Sequence, residues 1–177
     1  RVGDGAPQVG YVAPWHALPG FVEAQADLVT AALAAVPAAQ RRETPLLFTA
    51  HSIPMSMAHE SAYAEEVATS ARLVAQRFGR TRWQVAYQSR SGDPRDPWLE
   101  PDVGETVRTL AREGAPAVVV VPIGFVCDHI EVLYDLDIEA RRIADGVGIA
   151  FHRAGTVMDH PAFVGMLSDL VRAQADR

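Results

Sequence analysis

AVVVV, residues 117–121, is five apolar residues in a row, four of them β-branched, with no polar position among them. A strand with one wet face alternates apolar with polar, so this unbroken run reads as a central strand covered on both faces, as in a parallel sheet. Outward from it, one grammar repeats. LLFTA (46–50) runs into His51 and precedes a helical pattern near 57–78, and WQVAY (83–87) leads through a Gly/Pro loop to a helix near 102–113. After 117–121 come Pro122, Ile123, a loop and a helix near 130–145; IAFH (149–152) then passes to a helix near 161–174. Strict alternation of strand and helix predicts an α/β fold: a parallel sheet of about four strands with right-handed crossovers and helices on both faces. Ahead of it, Phe21, Val22, Leu28, Val29, Leu33 and Val36 recur at helical steps between Pro19 and Pro37, predicting a helix to Ala35. Residues 1–17 are punctuated by Gly and Pro and read as an extended lead-in segment; the rest is one domain without repeats or an internal linker.

Composition narrows the function. At 49% hydrophobic, the 177 residues can bury a real core, which excludes a disordered chain. Acids outnumber bases by 22 to 16, every base is an arginine, and the net charge is −6, a poor balance for gripping nucleic acid. One cysteine, Cys127, excludes an internal disulfide framework and makes an iron–sulfur cluster held by this chain alone untenable; it fits a reducing, cytoplasmic protein. No apolar run approaches the ~18 residues of a membrane span, and the first residues do not resemble a signal peptide. The chain opens on Arg1 rather than methionine, which suggests processing or a piece of something longer.

In an open parallel sheet, ligands gather beyond the carboxyl ends of the strands. His51 stands at such an end, where it either packs or acts. Ser52 beside it has no G-x-S-x-G elbow and no neighbouring Asp to make a catalytic triad. DHIEVLYDLDIE (128–139) holds five acids and no base, with Glu131, Asp135 and Glu139 four residues apart on one helical face. That stripe is either a solvated acidic surface or a carboxylate ladder handling cations or protons, with Ile130, Leu133, Leu136 and Ile138 turned to the core. Imidazole nitrogen with carboxylate oxygen suits divalent iron, cobalt, nickel or zinc, and two ligands suit a metal meant to leave. Trp98 and Phe125 either cover the core or offer flat walls to an aromatic ligand. Cys127, next to Asp128, is in a poor setting for a nucleophile. His16, His59, His152 and His160 read as surface or structural, and GDG at 3–5 neither follows a strand nor opens a helix.

FTAHSIP (48–54), AYQSRSGDPRDPWLEPD (86–102) and above all PIGFVCDHIEVLYDLDIE (122–139) resemble the ferrochelatases, from about Tyr11 to the end of the chain. The resemblance implies a Rossmann-like, chelatase-type domain, the C-terminal one of the family's two, with the N-terminal domain absent here and its porphyrin-holding residues with it. It implies insertion of Fe²⁺ into a porphyrin in heme biosynthesis. Coproporphyrin III is expected over protoporphyrin IX, because the arginine-only composition resembles that of high-GC bacteria. His51 and Glu131 match the family's iron-binding, catalytic pair; Asp135 and Glu139 match its acidic, metal-handling ladder; Trp98, Phe125 and Ser52 fall among residues that hold the macrocycle. Asp128 and His129 match the residues just ahead of the carboxylate. No prosthetic group is implied, since iron is a substrate. Glu60-Ser61-Ala62-Tyr63 departs from the frequent Gly-Asp-Pro-Tyr, and Cys127 stands where serine is common. Two other readings stay open: a chelatase loading cobalt or iron into a sirohydrochlorin, and a half-domain that binds tetrapyrrole or iron without catalysis.

Overall fold

The sheet divides its side chains between two cores. Strands β1 (Leu46–His51), β2 (Trp83–Gln88), β3 (Ala117–Val121) and β4 (Ala150–Arg153) lie in the order β2-β1-β3-β4, and every adjacent pair is parallel. Leu46, Phe48, Ala50, Val119 and Val121 point into one core with Phe21, Val29, Val67, Val74 and Phe163; Leu47, Val118 and Val120 point into the other with Val107, Leu110, Val132 and Leu136. Alternate residues of a strand face opposite ways, so an uninterrupted apolar run is what two covered faces require. Helices α1 (Pro19–Ala34), α3 (Tyr63–Arg77) and α7 (Pro161–Ala175) pack on the first face. The second is covered by α4 (Val103–Arg112) and a long helical stretch after β3. The computed structural model describes residue 5, residues 9–93 and residues 95–176; GDG at 3–5 and the start of the lead-in lie largely outside them, and residues 9–15 carry neither helix nor strand.

Two helical expectations change. The single helix near 57–78 is two, α2 (Met55–His59) and α3, separated at Glu60, Ser61 and Ala62. Ser61 Oγ donates to Met57 O at 2.9 Å, a local bond that competes with the helical ladder, and α2 buries no residue that would hold it in line. The helix near 130–145 is α5 (Ile130–Val132), a π-helical segment Leu133–Ala140, and α6 (Arg141–Val147). Along it Val132, Leu136, Ala140 and Ala144 are buried, four residues apart. In a pure α-helix a four-residue period drifts by about 40° per step. The wider i→i+5 turns take up that surplus and keep the row straight. Leu136 therefore packs as expected, whereas Ile130, Leu133 and Ile138 are turned outward, Ile130 to 74% exposure.

β1 and β3 are both interior, and chain connections leave them in opposite directions, toward β2 and toward β4. The crevice above that switch point is where an open α/β sheet takes its ligand.

Candidate active site at the carboxyl edge of the sheet

His51 is the last residue of β1 and Glu131 lies in the first turn after the β3 loop. The structure brings His51 Nε2 to 3.8 Å from Glu131 Oε1, with both side chains partly open to solvent. His51 Nδ1 bonds to Ser52 O. A carbonyl can only accept, so Nδ1 carries a proton, and in the neutral ring Nε2 keeps its lone pair. Two electron-pair donors then converge on one point, a donor set that takes a proton or a divalent cation. Behind His51, Tyr63 Oη donates to His51 O at 3.0 Å, and burial pushes the Tyr63 hydroxyl up to about 12, so it remains a donor throughout the neutral range.

Glu131 is placed by its neighbours. His129 caps α5 by accepting from Glu131 N at 3.3 Å; its Nδ1 lies 3.9 Å from Glu131 Oε2, and its ring sits 5.3 Å from that of Phe125. Gln88, the last residue of β2, donates from Nε2 to Glu131 O at 3.0 Å. Asp128 faces away from the crevice: Arg153 and Thr156 both donate to it, and Arg153 also binds Asp137 at 2.8 Å. Burial works against the Arg153 charge, but the two carboxylates outweigh it and raise its pKa.

Asp135 and Glu139 share a cavity of about 260 Å³ with Gln88, Ser89 and Asp102, and Ser89 Oγ donates to Asp135. The four-residue acidic stripe thus runs from the His51–Glu131 crevice into a polar hollow. Among the described residues, no group of three or more His, Cys, Asp or Glu side chains is disposed to hold a metal ion. Trp98 pairs by an isolated bridge with Pro54, three residues after His51, and among the described residues its half-buried indole has no partner for Nε1.

Two residues sit differently from their expected roles. Ser52 is buried and its Oγ donates to Leu99 O at 2.9 Å, a bond that fastens the 52–54 turn to the Trp98 loop. Phe125 belongs mostly to the second core, supporting His129 from beneath with little surface to spare for a ligand. Cys127 is exposed, and His160 caps α7 while its Nε2 lies 3.3 Å from Asp27. Nothing in the sequence marks Tyr63 or Arg153 for these contacts. The one available signal was a polar residue, Gln88, closing the otherwise apolar VAY of β2.

Fold and site together define an α/β domain that sets an imidazole against a carboxylate over the switch point of a parallel sheet. The chain belongs to the ferrochelatase family, whose model, described as Ferrochelatase, matches residues 2–175. It is 46% identical over 174 residues to a protein named Coproporphyrin III ferrochelatase from Mycobacterium leprae (strain Br4923), covering 97% of this chain and 52% of that relative. It is 45% identical to a Ferrochelatase of Rhodopirellula baltica, over 97% of this chain and 49% of the relative. It is likewise 45% identical to the Coproporphyrin III ferrochelatase of Mycolicibacterium smegmatis, over 96% and 51%. The chain spans about half the length of the curated relatives it matches.

Proposed function

We propose that this chain forms the iron-delivering wall of a ferrochelatase that inserts Fe²⁺ into coproporphyrin III, working in the cytoplasm without a prosthetic group. A second domain, in the length that the relatives have beyond this chain, would close the other side of the macrocycle. The observation that carries the reading is the 3.8 Å approach of His51 Nε2 to Glu131 Oε1.

Insertion exchanges two pyrrole N–H protons for one divalent cation. A neutral imidazole with a free Nε2 is a competent base for those protons near neutral pH. Glu131 supplies negative charge where a cation sheds its water, and Asp135 and Glu139 lie on the same helical stripe to relay metal inward or protons outward. A flat macrocycle keeps its nitrogen lone pairs in the ring plane, so a wall that favours a saddled ring lowers the barrier. Trp98 stands at the rim as that wall. The choice of coproporphyrin follows the names of the mycobacterial relatives.

The test is iron insertion measured side by side with coproporphyrin III and protoporphyrin IX, in the longer protein that contains this chain. Turnover with coproporphyrin preferred is expected, and His51→Ala abolishes it with the fold retained. Glu131→Gln, which keeps the side-chain size and removes its charge, lowers the rate by about 100-fold or more with porphyrin binding largely retained. Normal turnover by His51→Ala overturns the assignment.

A further inference from the structure

We infer that Gln88 is a positioning residue that sets the distance between His51 and Glu131. The inference rests on the iron-inserting reading of that pair. Gln88 is 2% exposed and touches both sides of the crevice. Its main-chain carbonyl accepts from Ser52 N at 2.8 Å, in register with His51 across β1 and β2. Its side-chain Nε2 donates to Glu131 O at 3.0 Å, reaching across the top of the sheet to the turn that opens α5. One residue therefore ties the segment after His51 to the backbone of Glu131 through groups that share a rigid strand end.

The amide is a poor choice for stability. Among the described residues Gln88 Oε1 is buried with no hydrogen-bond partner, and an orphaned acceptor destabilises the folded state. A methionine of similar length would remove that orphan and fill the same space. What methionine cannot supply is the donor to Glu131 O. A residue that sacrifices fold stability for one directed bond to a site backbone is held there by geometry rather than by packing.

The experiment compares Gln88→Met, Glu131→Gln and the double variant in the longer protein, with three readouts: thermal melting, iron insertion, and Co²⁺ affinity by titration calorimetry. Gln88→Met is expected to melt at or above the temperature of the parent. It should lower kcat for iron insertion about tenfold, with the porphyrin KM within twofold, and weaken Co²⁺ binding several-fold. In the Glu131→Gln background the same change should have no further effect on either quantity, because its influence runs through Glu131. Additive losses, unchanged kcat and Co²⁺ affinity, or a lowered melting temperature would overturn the inference. Co²⁺ affinity is read without turnover, so a parent that fails to insert iron refutes the function, whereas a flat or additive Co²⁺ cycle refutes the role of Gln88.

Discussion

His51 leaves one ring nitrogen, Nε2, open to the crevice. Its Nδ1 is engaged by Ser52 O, its main chain is held by Tyr63 Oη, and only Nε2 faces the crevice. The Tyr63 bond has a measurable pH signature. Desolvation by burial, with a smaller contribution from the neighbouring Tyr87, raises the Tyr63 pKa from 10.0 to about 12. The folded state thus holds a proton that the unfolded chain releases first. The associated stability is complete below pH 10 and is lost as pH rises toward about 12. Urea melts between pH 8 and 11.5 should show this alkaline decline, and Tyr63→Phe should flatten it while leaving Tyr87's share. A decline as steep in the variant as in the parent would remove Tyr63 from the account. Residue type and strand-end position point only to a meeting of His51 with the acidic stripe; the choice of Glu131 as its partner comes from the family resemblance, and neither signal reaches Tyr63 or Gln88. A hydrogen bond to a backbone carbonyl leaves no trace in side-chain spacing, and each of these donors reaches its acceptor from a separate element.

Strand and helix identity is legible in the pattern, because β3 is a continuous apolar run, β1 up to His51 is broken only by Thr49, and α1 is framed by Pro19 and Pro37. The π-helical segment escaped the same reading. Its sequence has the apolar and acidic content of an ordinary amphipathic helix, and only packing on the sheet selects the four-residue row of Val132, Leu136, Ala140 and Ala144. Arg153 fastens this segment from outside, binding Asp137 within it and Asp128 ahead of it from the end of β4. Arg153→Met keeps the aliphatic stem and leaves both carboxylates without their guanidinium. A loss of about 2 kcal/mol, the range for hydrogen bonds to charged groups, is expected from denaturant melts, with the π segment exchanging its amide hydrogens faster. An unchanged melt would mean that the segment needs no such fastening.

At the scale of the molecule, the net charge of −6 and the hollow lined by Asp102, Asp135 and Glu139 against one arginine, Arg90, both favour a cation over an anion. Attraction between exposed charges weakens as salt shortens the screening length from ~10 Å at 0.1 M to ~3 Å at 1 M. On the proposed iron-inserting function, the KM of the longer protein for Fe²⁺ should therefore rise several-fold between low and high sodium chloride, and Glu139→Gln should blunt the rise. A salt-independent KM would place iron uptake elsewhere. The sheet order β2-β1-β3-β4 was beyond sequence reading, since pairing between β1 and β3 joins residues about seventy positions apart and local patterns do not encode it. Where the helix widens over Leu133–Ala140, the backbone carries more residues than the same length of ordinary α-helix needs. A gene that dropped one codon there would still spell a continuous α-helix, but the four-residue step shared by the buried row and by Glu131, Asp135 and Glu139 would be broken at the gap. The surplus residue is slack in the chain, and alignment of the acids is what that slack maintains.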